Sequence, residues 1–128
     1  MKLYFFWEAS VDGFSPSCNS SFVNEGDVGP LACLLTDDGG QRSLDTVPWL
    51  GVGAGRIKAV KGGEIDFVGW SRDAWGAELT RNQVKVYSLY DESYFEVMDI
   101  NSFEVALLAW IDFIQMKPEL EGGCEVEI

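Results

Sequence analysis

Residues Asn101 to Pro118 read NSFEVALLAWIDFIQMKP, and the rest of the chain is best judged against this run. Asn101 can cap a helix, Glu104 follows three positions later as in a capping box, and Pro118 stops the run after Lys117. The helix so predicted spans about four and a half turns. At ~100° per residue, Asn101, Glu104, Leu108, Asp112 and Gln115 share one narrow stripe. Phe103, Ala106, Leu107, Trp110, Ile111, Phe113 and Ile114 take the opposite side. Val105, Ala109 and Met116 widen the apolar arc to roughly 240°, well past the ~100° stripe of a simple surface helix. Such a helix needs cover on more than one side. Either it lies in a groove between a sheet and the long loops of the N-terminal half, or one flank is a subunit or partner interface. The first is favoured, because those loops hold apolar residues with no other home: Phe14, Phe22 and Trp49.

Upstream, the pattern is of strands. Val84–Tyr90 and Tyr94–Met98 are joined by Asp91-Glu92-Ser93 and predict a hairpin. Arg56–Lys61 and Glu64–Trp70 flank Gly62-Gly63, a pair suited to a primed turn, and predict another, with Lys61 facing Glu64 and Val60 paired with Ile65. A short strand fits Ala77–Leu79 between them. Lys2–Trp7 reads as a buried strand, and Ala9–Gly29 as a long loop with one weak strand near Phe22 and Val23. Pro30–Thr36 (PLACLLT) is a short apolar run read as strand rather than helix, ended by the turn cluster Asp37-Asp38-Gly39-Gly40. Pro48 with Gly51, Gly53 and Gly55 predicts irregular backbone over Gln41–Gly55. No βαβ alternation is present. The expected fold is α+β, a mainly antiparallel β-sheet with one long C-terminal helix packed on it. Residues 1–128 form a single domain with a loosely held acidic tail from about residue 119.

Composition supports a packed core: 47% of 128 residues are hydrophobic, with five Trp, four Tyr and eight Phe. The apolar run Leu3–Trp7 is too short for a signal peptide, and no run approaches the ~20 apolar residues of a membrane helix. Cys18, Cys33 and Cys124 are widely spaced, without a CxxC pair, and signal neither a disulfide framework nor zinc. A cytoplasmic location is expected. Twenty-one acidic residues against nine basic give a net charge of −12, which repels nucleic acid and anionic membranes and attracts basic proteins. Acidity for solubility alone is an equally available reading.

The chain has no His, which excludes Ser-His-Asp and Cys-His machinery. Asp37 with Asp38 and Asp91 with Glu92 are adjacent carboxylates in predicted turns, a role that accounts for them without catalysis or metal binding. Gly51-Val52-Gly53-Ala54-Gly55 matches neither GxGxxG nor the P-loop, so no phosphate site is expected. Neither cofactor nor metal is implied, and binding is favoured over catalysis.

From Gly69 to Pro118 the segments GWSRDAWGAEL, KVYSLYDE, YFEVM and SFEVALLAWIDFI resemble small bacterial immunity proteins encoded beside polymorphic or contact-dependent growth inhibition toxins. The resemblance implies tight binding and neutralisation of a cognate protein toxin, with no catalytic residue. A basic nuclease toxin would suit the acidity. The first residues to consider as contacts are Asp91, Glu92 and Glu96 near hairpin ends and Asp73 beside Trp75, with Asp37 and Asp38 as a second patch. The alternatives are a homo-oligomeric assembly protein, in which the wide apolar helix face makes a homodimer contact, and a small carboxylate- or metal-dependent enzyme.

Overall fold

The computed structural model describes residues 1–11, 13–21, 29–39, 43–119 and 122–128. In chain order the elements are β1 (Lys2–Ser10), β2 (Gly13–Ser20), α1 (Pro30–Thr36), a 3-10 turn at Ser43–Thr46, α2 (Val47–Lys61), β3 (Phe67–Ser71), β4 (Trp75–Thr80), β5 (Gln83–Ser88), β6 (Phe95–Asp99), α3 (Ile100–Ile114) and β7 (Cys124–Glu127). The α+β class and the antiparallel pairing hold. The single sheet and single long helix do not: the described residues form two sheets, ordered β2-β1-β7 and β3-β4-β5-β6, and three helices. The longest helical stretch, from the 3-10 turn through α2, lies mid-chain.

In β1, Leu3, Phe5 and Trp7 point inward while Tyr4 and Glu8 face out, the period of a half-buried strand. The serine-rich segment expected as loop supplies β2 over Gly13–Ser20, paired along β1 with Phe5 opposite Cys18. The weak strand expected at Phe22 and Val23 falls outside the described residues. The tail also departs from expectation. Cys124–Glu127 pairs antiparallel with β1, and Ile128 N–H donates to the Met1 carbonyl at 2.9 Å.

Pro30–Thr36 is helix rather than strand. Its buried Leu31, Leu34 and Leu35 follow i, i+3, i+4 spacing, and Pro30 occupies the first turn, where its missing N–H costs nothing. The larger correction concerns Arg56–Lys61, expected to form a hairpin with Glu64–Trp70. Those residues are the last turns of α2, whose buried Leu50, Gly53, Ile57 and Val60 mark one helical face. Gly62-Gly63 ends that helix instead of turning a hairpin. Gly63 N–H donates to Val60 O and Glu64 N–H to Ala59 O, with Gly63 at φ +78°, which is a Schellman stop. Both motifs demand Gly at positive φ, so the same dipeptide serves either. β3 pairs with β4 instead, and β4 extends the short strand expected at Ala77–Leu79.

The last hairpin is present as β5 and β6, with a longer connection through Leu89–Tyr94. The final helix is capped by Asp99, two residues before the expected Asn101. Asp99 Oδ1 accepts from Ser102 N–H at 2.8 Å and Oδ2 from the Ser102 hydroxyl at 3.0 Å. Glu104 accepts instead from Lys61 Nζ at 2.8 Å, linking α3 to the end of α2.

The wide apolar arc of α3 is covered by folded elements rather than loops. Toward its C-terminus, Trp110 meets Phe5 edge-on at 5.1 Å and Phe113 stacks with Trp7 at 5.1 Å. Toward its N-terminus, Phe103 meets the edge of Trp70, which stacks on Trp49 of α2 at 4.3 Å. One helix thus ties both sheets into a continuous core, leaving Val105 and Leu108 half exposed.

Candidate partner-binding face

The helices pack on one face of the four-stranded sheet, where Trp70, Ala77, Leu79, Val84, Val86 and Met98 are buried. Side-chain alternation then directs Phe67, Glu78, Lys85, Tyr87, Phe95 and Val97 to the opposite face. Among the described residues no helix covers that side: Phe67 is 57% exposed, Val97 47% and Phe95 46%. Leu89 and Tyr90 continue the apolar surface past the end of β5. Lys85 lies over the rings of Phe95 and Tyr87 at 5.2 and 5.8 Å, with Glu78 opposite it on β4. Burial raises the Tyr87 phenol above its ordinary pKa, and the carboxylates of Glu78 and Glu92 add to the rise.

Hydrogen bonding gathers the acidic residues at one end of this sheet. Asp37, at the end of α1, accepts on Oδ2 from Ala74 N–H at 2.8 Å and Trp75 N–H at 3.0 Å, clamping the β3–β4 turn. Arg72 Nη2 donates to the Asp38 carbonyl at 3.0 Å, and its guanidinium lies 5.0 Å from the Trp49 ring. Leu89 N–H donates to Ala74 O at 2.9 Å and the Tyr90 hydroxyl to Asp73 O at 3.4 Å, joining the β5–β6 loop to the same turn. Asp37, Asp38, Asp73, Asp91 and Glu92 therefore share one end, though each patch looked separate in the sequence. Asp91 also shapes its loop: Oδ1 accepts from the Ser93 hydroxyl at 2.6 Å and Ser93 N–H at 3.0 Å, which holds its carboxyl below the usual range.

Two of the expected contact residues are placed differently. Glu96 is buried, 4% exposed, because it shares the inward parity of Met98 and lies opposite Val86. Its Oε1 accepts from Leu31 N–H at 3.2 Å in the first turn of α1, and burial raises its pKa. It is a structural carboxylate. Trp75 sits half-buried on the inner face, packed against the core rather than on the open face. The exposed aromatics of the four-stranded sheet and its β5–β6 loop are Phe67, Tyr90, Tyr94 and Phe95. Their signal in the sequence was strand parity, usable only once the β4-β5-β6 register is known.

Burial pushes the Cys18 thiol up to about 12, with Cys33 adding to the rise. Among the described residues no three carboxylates or thiols converge as metal ligands would. No helix among them is long and apolar enough to cross a membrane. No family model, curated protein or solved structure matches the chain.

Proposed function

We propose that the protein is a cytoplasmic binding protein whose open sheet face and acidic end engage a basic protein partner, and that this partner is a cognate bacterial toxin which it neutralises. The observation that carries the binding reading is the uncovered aromatic face beside Asp38, Asp73, Asp91 and Glu92. An apolar centre with a charged rim is the usual anatomy of an interface. The net charge of −12 steers such a surface toward a basic partner. The toxin assignment rests on the resemblance of Gly69–Pro118 to immunity proteins, and a nuclease with a basic cleft is its best candidate. Burial of most of the α3 arc within the chain favours this reading over a homodimer made through that helix.

The test is to look beside this gene for an encoded toxin domain and to express it alone and with the protein; a neighbourhood without one would count against the assignment. Growth arrest relieved by the wild-type chain is the expected result. Asp91→Lys combined with Glu92→Lys should weaken binding at least about tenfold, as expected when attractive rim charges become repulsive. A toxin that binds the chain no better than an unrelated basic protein would overturn the assignment.

A further inference from the structure

The two sheets have four edge strands, β2, β7, β3 and β6. An edge strand presents unpaired N–H and C=O groups to any extended chain, and folded proteins blunt such edges with prolines, charges or covering groups. Hydrogen-bond parity shows which groups face outward on each. Ser21 N–H donates to Lys2 O, so Phe14, Pro16 and Cys18 turn their backbone groups out of β2, and Pro16 has no N–H to offer. Ile128 N–H donates to Met1 O, which leaves Glu125 and Glu127 outward on the four-residue β7. On β3, Arg72 N–H donates to Trp75 O, turning Phe67, Gly69 and Ser71 outward. The Gly69 and Ser71 carbonyls are taken by Arg56 Nη1 at 2.7 Å and Trp49 Nε1 at 3.0 Å, both from α2.

Among the described residues β6 has no proline or covering group, and its one outward charge, Asp99, is its last residue and caps α3. Ser88 N–H donates to Tyr94 O and Ile100 N–H to Asn82 O, both at 3.0 Å, so Glu96 and Met98 pair with β5. Phe95 and Val97 then point their N–H and C=O groups out of the sheet, and among the described residues nothing bonds to them. The register runs without a bulge, and the strand FEVMD contains neither Pro nor Lys.

We propose that the outer edge of β6 is a strand-addition site that takes an extended, basic segment of a partner protein as a fifth strand. Among the described residues β6 is the least blunted edge, and it lies beside the exposed aromatic face. Charge selects the occupant. Asp91 and Glu92 lie before β6 and Asp99 at its end, so Lys or Arg on the added strand would meet carboxylates while apolar residues cover Phe95 and Val97. A second copy pairing edge to edge would bring two chains of charge −12 together. The inference rests on the reading of the chain as a binder of a basic protein, and not on that protein being a toxin.

The test uses the full chain, 15N-labelled, with an octapeptide alternating Lys and Val. Controls are an octapeptide alternating Glu and Val and a proline-interrupted Lys/Val peptide. The amides of Phe95 and Val97 should gain protection from hydrogen exchange with the Lys/Val peptide and with neither control. Val97→Pro deletes an outward N–H without touching the Glu96 and Met98 pairing to β5, and should weaken peptide binding at least about fivefold. Val97→Lys, which leaves the backbone intact and adds a repelling charge, should do the same and serves if the proline variant does not fold. Peptide binding unchanged in the folded variants, protection at another strand, or protection of Phe95 and Val97 that grows with protein concentration alone would overturn the proposal. Toxin rescue that survives Val97→Lys without peptide docking would sink strand addition and leave the proposed function standing. Docking without rescue would do the reverse.

Discussion

Glu96 shows what a single carboxylate does when strand parity turns it inward. Its bond to Leu31 N–H satisfies a donor in the first turn of α1, while burial works against its charge. Glu96→Gln keeps an acceptor and removes the charge, so it should raise Tm by a few degrees at pH 7. Because the folded-state pKa is raised, the wild-type chain takes up a proton as pH falls and the difference should vanish near the unfolded value of about 4.3. Asp91 and Asp99 have lowered values, so the stability they add is lost as pH falls through those values. They are common to both proteins, and the variant-minus-wild-type difference isolates Glu96. Glu96→Ala should cost about 1–3 kcal/mol, the penalty of leaving a buried N–H without an acceptor. Thermal unfolding between pH 4 and 7 checks both. In the sequence, YFEVMD offered apolar residues at both parities, so nothing marked Glu96 as inward.

Helix α2 was the least legible element, because three of its residues argue against helix by propensity. Gly51, Gly53 and Gly55 each cost up to about 1 kcal/mol relative to Ala. Burial of Leu50, Ile57 and Val60 against the sheet and α3 overrides that cost. The three glycines are not equivalent. A Cβ at Gly53 would lie 2.6 Å from the Trp70 ring, which is held by Trp49 and Phe103, whereas a Cβ at Gly51 or Gly55 meets nothing within 4 Å. Gly53→Ala should therefore destabilise by about 1–3 kcal/mol. Gly51→Ala and Gly55→Ala should each stabilise by up to about 1 kcal/mol, and Gly63→Ala should cost about 1 kcal/mol at its left-handed stop. Urea titrations of the four variants test this order. The helix α3, by contrast, was legible from 3.6-residue periodicity alone. Its start was misplaced by two residues, since Asp99 is a strand residue that also caps.

At the scale of the whole molecule, class, antiparallel pairing and the acidic character of the hairpin ends could be read from residues. The sharing of one end by Asp37, Asp38, Asp73, Asp91 and Glu92 could not. It depends on Asp37 reaching Ala74 and Trp75, and on Leu89 reaching Ala74, contacts that join distant segments. Nor could the division into two sheets be foreseen, because β2 is drawn from a serine- and proline-bearing stretch and β7 from a glutamate-rich tail. Pairing with β1 decides both, as tertiary context commonly does for weak strands.

The central claim is that the acidic end and open face bind a basic protein by electrostatic attraction to an apolar centre. Its most direct measurement is the association rate with the proposed toxin partner, followed by stopped flow from about 20 to 500 mM salt. The rate should fall at least about tenfold over that range and fall again in Asp91→Lys with Glu92→Lys, with smaller changes in dissociation. An association rate indifferent both to salt and to those substitutions would contradict the account.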